Sequence, residues 1–290
     1  MMIVAVILWG ASFIWLKMAL ETIAPPTLAA VRFSLASFIL LLIVLPFSGI
    51  RRQILRRGPW TEFLVIGLLG TFLPSLLQNY GMVHLKAGIS GVIQGAGPIY
   101  TAILAAVILG ERLGRRKISG AALAFAGTVL LSTGFGNLGQ TSAYGVVLLT
   151  LSAVSYSCYT VAVRRSLIGR MHPMALLTGA TICGSVPLLI VTVLLEPAQS
   201  LVDFDISEGT LILLLVVLST VVAYACYVSA LNRLEASRAA AFLFLIPVSA
   251  LSLGAFYLGE TISIMEGLAS GLILLGVIVT ESERSRGRHA

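Results

Sequence analysis

The sequence predicts an all-α polytopic membrane protein in which ten transmembrane helices form two inverted five-helix repeats. Three observations carry this. Of the 290 residues, 58% are apolar and 11% charged, whereas soluble domains carry about 25% charge. The second half repeats the first at an offset of 149: Pro98 falls on Pro247 and Leu109-Gly110-Glu111 on Leu258-Gly259-Glu260, while Leu85, Ala87, Leu104, Leu123 and Gly127 fall on Leu234, Ala236, Leu253, Leu272 and Gly276. The basic residues gather in alternate loops. A fixed period in an apolar chain marks a duplicated membrane unit.

Crossing about 30 Å of hydrocarbon takes roughly 20 helical residues, and ten runs of that order follow one another. The first, 2–19, lacks the basic start and cleavage site of a signal peptide and carries Trp9, Trp15 and Lys17, so it reads as a span. The second, 26–47, is set off by Pro25-Pro26 and holds Arg32. The third, 60–81, follows Gly58-Pro59 and carries Ser75, Gln78, Asn79 and Tyr80. The fourth, 87–109, holds Gln94, Gly95-Ala96-Gly97-Pro98 and Tyr100, and the fifth is 117–134. A short link from Gly134 to Ala143 leads to the sixth, 143–163, with Ser152, Ser155, Tyr156 and Tyr159. The seventh, 174–195, follows His172-Pro173. The eighth, 209–231, carries Tyr224 and Tyr227. The ninth, 237–258, holds Pro247, and the tenth is 264–280. The repeats are therefore 1–135 and 140–283, with a basic cytoplasmic tail at 284–290.

Sixteen of nineteen Lys and Arg residues lie on one side of this arrangement: Arg51, Arg52, Arg56, Arg57, Arg112, Arg115, Arg116, Lys117, Arg164, Arg165, Arg170, Arg233, Arg238, Arg284, Arg286 and Arg288. Positive loops stay cytoplasmic, so both termini are placed inside. An odd number of spans per repeat then inverts one copy against the other, with Glu111 and Glu260 facing opposite compartments. The +7 charge is thus a topology signal and does not imply nucleic acid. Cys158, Cys183 and Cys226 have no metal-ligand spacing and read as small bundle residues. No cofactor or metal is expected. H-E-x-x-H, G-x-S-x-G, Walker loops and paired intramembrane aspartates are missing, which argues against an enzyme.

Polar groups at membrane depth should face the bundle interior. Ser75, Gln78, Tyr80, Gln94, Tyr100, Tyr156, Tyr159, Tyr224 and Tyr227 are the candidates for lining a solute path. Ser75 falls on Tyr224 and Gln78 on Tyr227 at the repeat offset. The competing reading is interhelical hydrogen bonding alone. Pro98 and Pro247, with Gly95 and Gly97, are hinge candidates, because proline removes a helix hydrogen bond. Lys17 and Arg32 could either attract a carboxylate or, the favoured expectation, snorkel outward or pair with Glu21. Gly91/Gly95 and Gly267/Gly271 have GxxxG spacing and are expected to pack within the molecule. No Asp or Glu lies mid-span, so transport driven by the solute gradient is expected rather than tight proton antiport.

Ten spans in two halves, Trp9-Gly10, Arg32-Phe33 and the Gly-Glu pairs at 110–111 and 259–260 resemble the drug/metabolite transporter superfamily, and within it the EamA branch of bacterial metabolite exporters. The resemblance covers essentially the whole chain. It implies alternating access around a central cavity and inner-membrane export of amino acids or related metabolites, by a protein expected to act as a monomer in the bilayer. The chain lacks the first-span Glu of the small multidrug-resistance relatives. An exporter of lipophilic drugs and a channel-like protein without alternating access are the competing readings.

Overall fold

The computed structural model describes residues 1–56, 59–85, 93–94, 96–133, 142–168, 171–197, 204–258 and 264–282. Gly91, Gly95, Lys86, Gly259, Glu260 and the 284–290 tail lie outside the described residues. The first half contains α1 (Met2–Ala19), α2 (Pro25–Val44), α3 (Ser48–Leu55), α4 (Trp60–His84), α5 (Gly97–Leu109) and α6 (Arg115–Thr133). The second contains α7 (Ala143–Ile168), α8 (Pro173–Leu195), α9 (Ile206–Leu231), α10 (Ala236–Ala241, resuming at Leu245–Leu258) and α11 (Ile264–Glu281). Six of these, α1, α2, α4, α7, α8 and α9, are long and apolar enough to cross a membrane, and α5, α10 and α11 contain shorter apolar stretches. The chain is a multi-pass, all-helical membrane protein. Side chains such as Val107 and Leu194 stand exposed where lipid takes the place of water.

Between expected spans 2 and 3 the sequence reading expected only a basic loop, but α3 forms there. Ile50 and Ile54 pack on Val44 and Ala175 while Arg51 and Arg52 remain exposed, so the segment is amphipathic and lies against the bundle end.

Lipid gives little hydrophobic drive for helices to associate, so close contact depends on small residues. A Cβ on Gly67 of α4 would stand 2.3 Å from the Ala180 carbonyl oxygen of α8. A Cβ on Gly276 of α11 would stand 2.5 Å from the Ala124 nitrogen of α6. Gly267 and Gly271, expected to pack within the molecule, meet nothing within 4 Å among the described residues. They lie on a face of α11 turned from α6, and the closest approach belongs to Gly120, Gly127 and Gly276. Gly276→Val is expected to force α6 and α11 apart, costing about 1–3 kcal/mol as other overpacked contacts do. Unfolding of the purified protein in detergent measures it, and unchanged stability would show that the contact is slack.

The helix pairs form a regular scheme. α1 packs on α9 and α10, and α7 on α4 and α5. α2 packs on α4, α8 and α9, α8 also packs on α4 and α9, α5 packs on α10, and α6 on α11. Both α4 and α9 contain π-helical turns, at Leu68–Phe72 and Leu215–Val222. Such turns are rare and often stand at functional sites. α5 begins at Gly97, which places Pro98 in its first turn, where a missing N–H costs nothing. α10 passes through a 3₁₀ turn, Phe242–Phe244, just before Pro247. Gly110 ends α5 in the left-handed region, φ 68°, a conformation that glycine adopts without strain. Nothing crowds its missing side chain, so conformation alone explains the glycine before Glu111.

At the start of α9, the Asp205 carboxylate accepts the Glu208 N–H at 2.7 Å and the Ser207 hydroxyl at 2.8 Å, and Glu208 closes the capping box on the Asp205 N–H. These bonds, the Glu208 amide first, hold the Asp205 carboxyl below its ordinary value of 3.8. A depressed folded-state value adds stability above the unfolded value, and that stability is lost as pH falls through the folded one. Hydrogen-exchange protection of the Glu208 amide is therefore expected to drop at pH 3 relative to pH 6. Asp205→Asn, which caps without titrating, should abolish that drop, and a drop that persists in the variant would place its origin elsewhere.

Candidate functional site

Trp9 occupies the middle of α1, 7% exposed. Its indole Nε1–H donates to the Ser219 carbonyl at 3.0 Å, inside the π-helical turn of α9, where the shifted hydrogen-bond pattern leaves a carbonyl for an outside donor. Around this indole stand Tyr227, Tyr224 and Tyr156, with ring centroids 5.1, 5.2 and 6.1 Å away. Tyr159 lies 5.3 Å from Tyr156, and Phe33 of α2 lies 6.4 Å from Tyr224. Most of these pairs are edge-on or tilted, the arrangements that ring quadrupoles favour. The Tyr227 hydroxyl bonds Thr160 at 2.8 Å, and the buried Tyr156 hydroxyl sits beside that of Tyr227 without a well-formed hydrogen bond.

Four of the nine path candidates, Tyr156, Tyr159, Tyr224 and Tyr227, thus meet in one cluster between α1, α7 and α9. The others do not join these rings. Gln94 donates to Ser152 at 3.4 Å, and Ser152 in turn donates to the Pro74 carbonyl at 3.0 Å. Among the described residues, Gln78 reaches only Met82 on its own helix. Ser75, Tyr80 and Tyr100 are half-buried. Asn79 donates to the Pro25 carbonyl at 3.0 Å and joins α4 to α2.

Arg32 corrects the sequence reading most sharply. It neither snorkels nor pairs with Glu21. Its Nε–H donates to the Thr220 hydroxyl at 2.7 Å and its Nη2 to the Ser219 hydroxyl at 2.9 Å, across to the π-helical turn of α9. The guanidinium carbon stands 5.1 Å from the Phe33 ring centroid. Among the described residues no carboxylate partners it. A guanidinium at membrane depth costs about 2.5–3.5 kcal/mol on insertion scales, so two hydroxyls and one ring face are thin compensation. Mid-span Ser219-Thr220, a polar pair in an apolar run, was the available signal for this contact. The π-helical turn that aims both hydroxyls has no compositional signature.

The carbonyl of the other π-helical turn is used in a parallel way. Ser155 of α7 donates to Leu69 of α4 at 2.9 Å, and the Tyr159 ring fills the space beside Gly70.

A second cluster lies at the basic end, beyond what the sequence suggested. The Glu111 carboxylate accepts the Ala236 N–H at 2.7 Å, the Ser237 N–H at 3.1 Å and the Ser237 hydroxyl at 2.5 Å. It therefore caps α10 from the end of α5. Lys117, 8% exposed, donates to Glu235 at 2.5 Å and to Ser237 at 3.2 Å. Nearby, Ser166 of α7 donates to Glu62 of α4.

Comparison with known proteins places these features in a family setting. The model of the EamA-like transporter family matches residues 1–133 and 143–281. A transporter of Archaeoglobus fulgidus is 30% identical over 95% of this chain and 95% of its own length. A probable amino-acid metabolite efflux pump of Salmonella typhimurium is 29% identical, over 96% of this chain and 92% of its own. A probable terminal-alkyne amino-acid exporter of Streptantibioticus cattleyicolor is 26% identical, over 99% and 94%. A solved crystal structure superposes with a TM-score of 0.82 over 97% of this chain and 95% of its own, at 20% identity, which speaks for the fold.

Proposed function

The chain belongs to the EamA-like transporter family, and on that premise we propose that it exports amino acids or related small metabolites by alternating access, as a ten-helix carrier built from two inverted repeats. The observation that carries the reading is the cluster of Trp9, Tyr156, Tyr224 and Tyr227 around Arg32, Ser219 and Thr220. It puts apolar rings and a polar, charged group side by side midway along the helices, the mixture an amphipathic solute needs. Relatives named as amino-acid metabolite efflux pumps support the substrate class. A lipophilic-drug exporter would be served better by rings without the guanidinium.

The helix contacts support inversion and alternating access. Exchanging each first-half helix for its second-half counterpart turns α1 on α10 into α7 on α5, α1 on α9 into α7 on α4, and α2 on α9 into α8 on α4, and all six contacts occur. The π-helical turn Leu68–Phe72 maps within Leu215–Val222 at the 149-residue offset. In this reading residues 1–135 and 140–283 are the two repeats, the breaks before Pro98 and Pro247 are the flex points, and Gly97 is part of the first. The basic end and both termini face the cytoplasm of a bacterial cell, and the protein works as a monomer. With no mid-span carboxylate, the solute gradient drives transport.

Counterflow of labelled phenylalanine, leucine and threonine in proteoliposomes tests the proposal. Exchange without a pH gradient is the expected result. No exchange of any amino acid would refute the substrate class, and uptake strictly dependent on a pH gradient would refute the coupling.

A further inference from the structure

We propose that Arg32 is the carboxylate-recognition residue of this site, so that the solutes carried bear one free carboxylate beside an apolar group. The proposal rests on the exporter reading for what is moved, and on the geometry alone for what is bound. A guanidinium has five N–H donors. Two are used here, Nε–H on Thr220 and one Nη2–H on Ser219, and both lie along the same edge of the plane. The end-on edge, between Nη1 and Nη2, has no acceptor among the described residues, and that edge is a fork matched to the two oxygens of a carboxylate. Ser219 and Thr220 are positioning residues. They fix the plane of the guanidinium through the π-helical turn, which is itself held by the Trp9 bond to the Ser219 carbonyl.

A half-buried cation at membrane depth without a carboxylate partner among the described residues is a poor structural element. Arriving solute would supply the missing anion. The match is to a monoanion, since Lys17, the other cation toward that end of the bundle among the described residues, is exposed and a dianion would need a second positive group inside the bundle. The Tyr156 hydroxyl, buried in the cluster beside that of Tyr227, makes no well-formed hydrogen bond. It can accept a hydrogen bond from an α-ammonium, which the electron-rich faces of Trp9 and Tyr224 also attract. The remaining ring surface takes the apolar side chain.

The full-length protein, purified in detergent, is titrated calorimetrically with two series of probes: 3-phenylpropionate, phenylalanine and phenylalaninamide, and 4-methylvalerate, leucine and leucinamide. Wild type is expected to bind the acids about 10- to 100-fold more tightly than the amides, the range of one charge-assisted hydrogen-bond pair. Arg32→Gln should abolish that preference and Arg32→Lys should retain part of it. Should Arg32→Gln fail to fold, Thr220→Val keeps the charge, removes one aiming hydroxyl and should reduce the preference. Equal binding of acids and amides by wild type, an undiminished preference in Arg32→Gln or, failing that variant, in Thr220→Val, or no acid binding at all would overturn the assignment. Counterflow of the same probes reads the exporter proposal separately: acid binding without exchange sinks that proposal and leaves Arg32 standing.

Discussion

Replacing Glu111 by alanine is expected to open the basic end of the bundle. A single carboxylate there accepts three hydrogen bonds, from Ala236 N–H, Ser237 N–H and the Ser237 hydroxyl, at 2.7, 3.1 and 2.5 Å. It also meets the positive end of the α10 dipole. Hydrogen bonds to charged groups contribute about 1.5–3 kcal/mol each. They do not add fully when they share one acceptor, so about 3 kcal/mol is expected for the whole contact, or roughly a hundredfold in population. Lys117 extends the join by holding Glu235 and Ser237, but Glu235 is half-exposed, so Lys117→Ala is expected to matter less. The readout is a cysteine at Ala240, a site fully buried in α10. In vesicles, wild-type background should protect it from an impermeant maleimide added at the basic side, and Glu111→Ala should raise labelling about a hundredfold. Glu111→Gln, which keeps the acceptor oxygen, should fall between. Labelling within twofold of the wild-type background would mean that the contact does not hold this end shut.

The same contact marks the limit of what could be read before the structure. That Glu111 ends a helix was legible from Leu109-Gly110-Glu111. That its carboxylate crosses to Ala236, 125 residues on, depends on how α5 meets α10, and no local pattern records such a meeting. The offset nevertheless carries a trace of it. Lys117 falls on Glu266 and Glu235 on Lys86, so the two positions exchange signs at the offset, and Glu111 falls on Glu260. Helix positions were legible for a simple reason: hydropathy of long apolar runs is a backbone requirement in lipid. Expected spans 2–19, 26–47 and 174–195 correspond to Met2–Ala19, Pro25–Val44 and Pro173–Leu195. Helix α3 was missed because eight residues with two exposed arginines resemble a loop until Ile54 is seen against Ala175.

At the candidate site the tyrosines were legible, since Tyr156/Tyr159 and Tyr224/Tyr227 repeat at helical spacing and share faces. Their convergence on Trp9 was not, and neither was the direction of Arg32. A lone arginine seven residues into an apolar span is compatible with an outward or an inward side chain. Choosing between them requires Ser219 and Thr220, 187 and 188 residues away. The π-helical turn decides the outcome by rotating both hydroxyls toward α2, and its one-residue shift of hydrogen bonds depends on packing rather than composition.

Trp9→Ala is the second substitution with a large expected effect. One hydrogen bond contributes about 0.5–1.5 kcal/mol and each of three ring contacts about 0.5–1.5, so roughly 2–6 kcal/mol of stability depends on this indole. In lipid there is little hydrophobic term to recover the loss by collapse, and α1 would be left joined to α9 mainly through smaller side chains. Trp9→Phe separates the two contributions. It keeps an aromatic ring against Tyr156, Tyr224 and Tyr227 but removes the donor to Ser219, leaving a buried carbonyl at a cost of about 1–3 kcal/mol. Released from that bond, the π-helical turn has less reason to hold Ser219 and Thr220 toward Arg32. Trp9→Phe is therefore expected to fold, to melt somewhat earlier than wild type, and to lose discrimination between carboxylates and their amides although it touches neither Arg32 nor its hydroxyls. Thermal unfolding in detergent reads the first effect and calorimetric titration the second. If Trp9→Ala melted with wild type, the ring cluster would not be holding α1 to α9. If Trp9→Phe kept full discrimination, the π-helical turn would be held by its own helix rather than by the indole, and the path from Trp9 through Ser219 to Arg32 would carry no coupling.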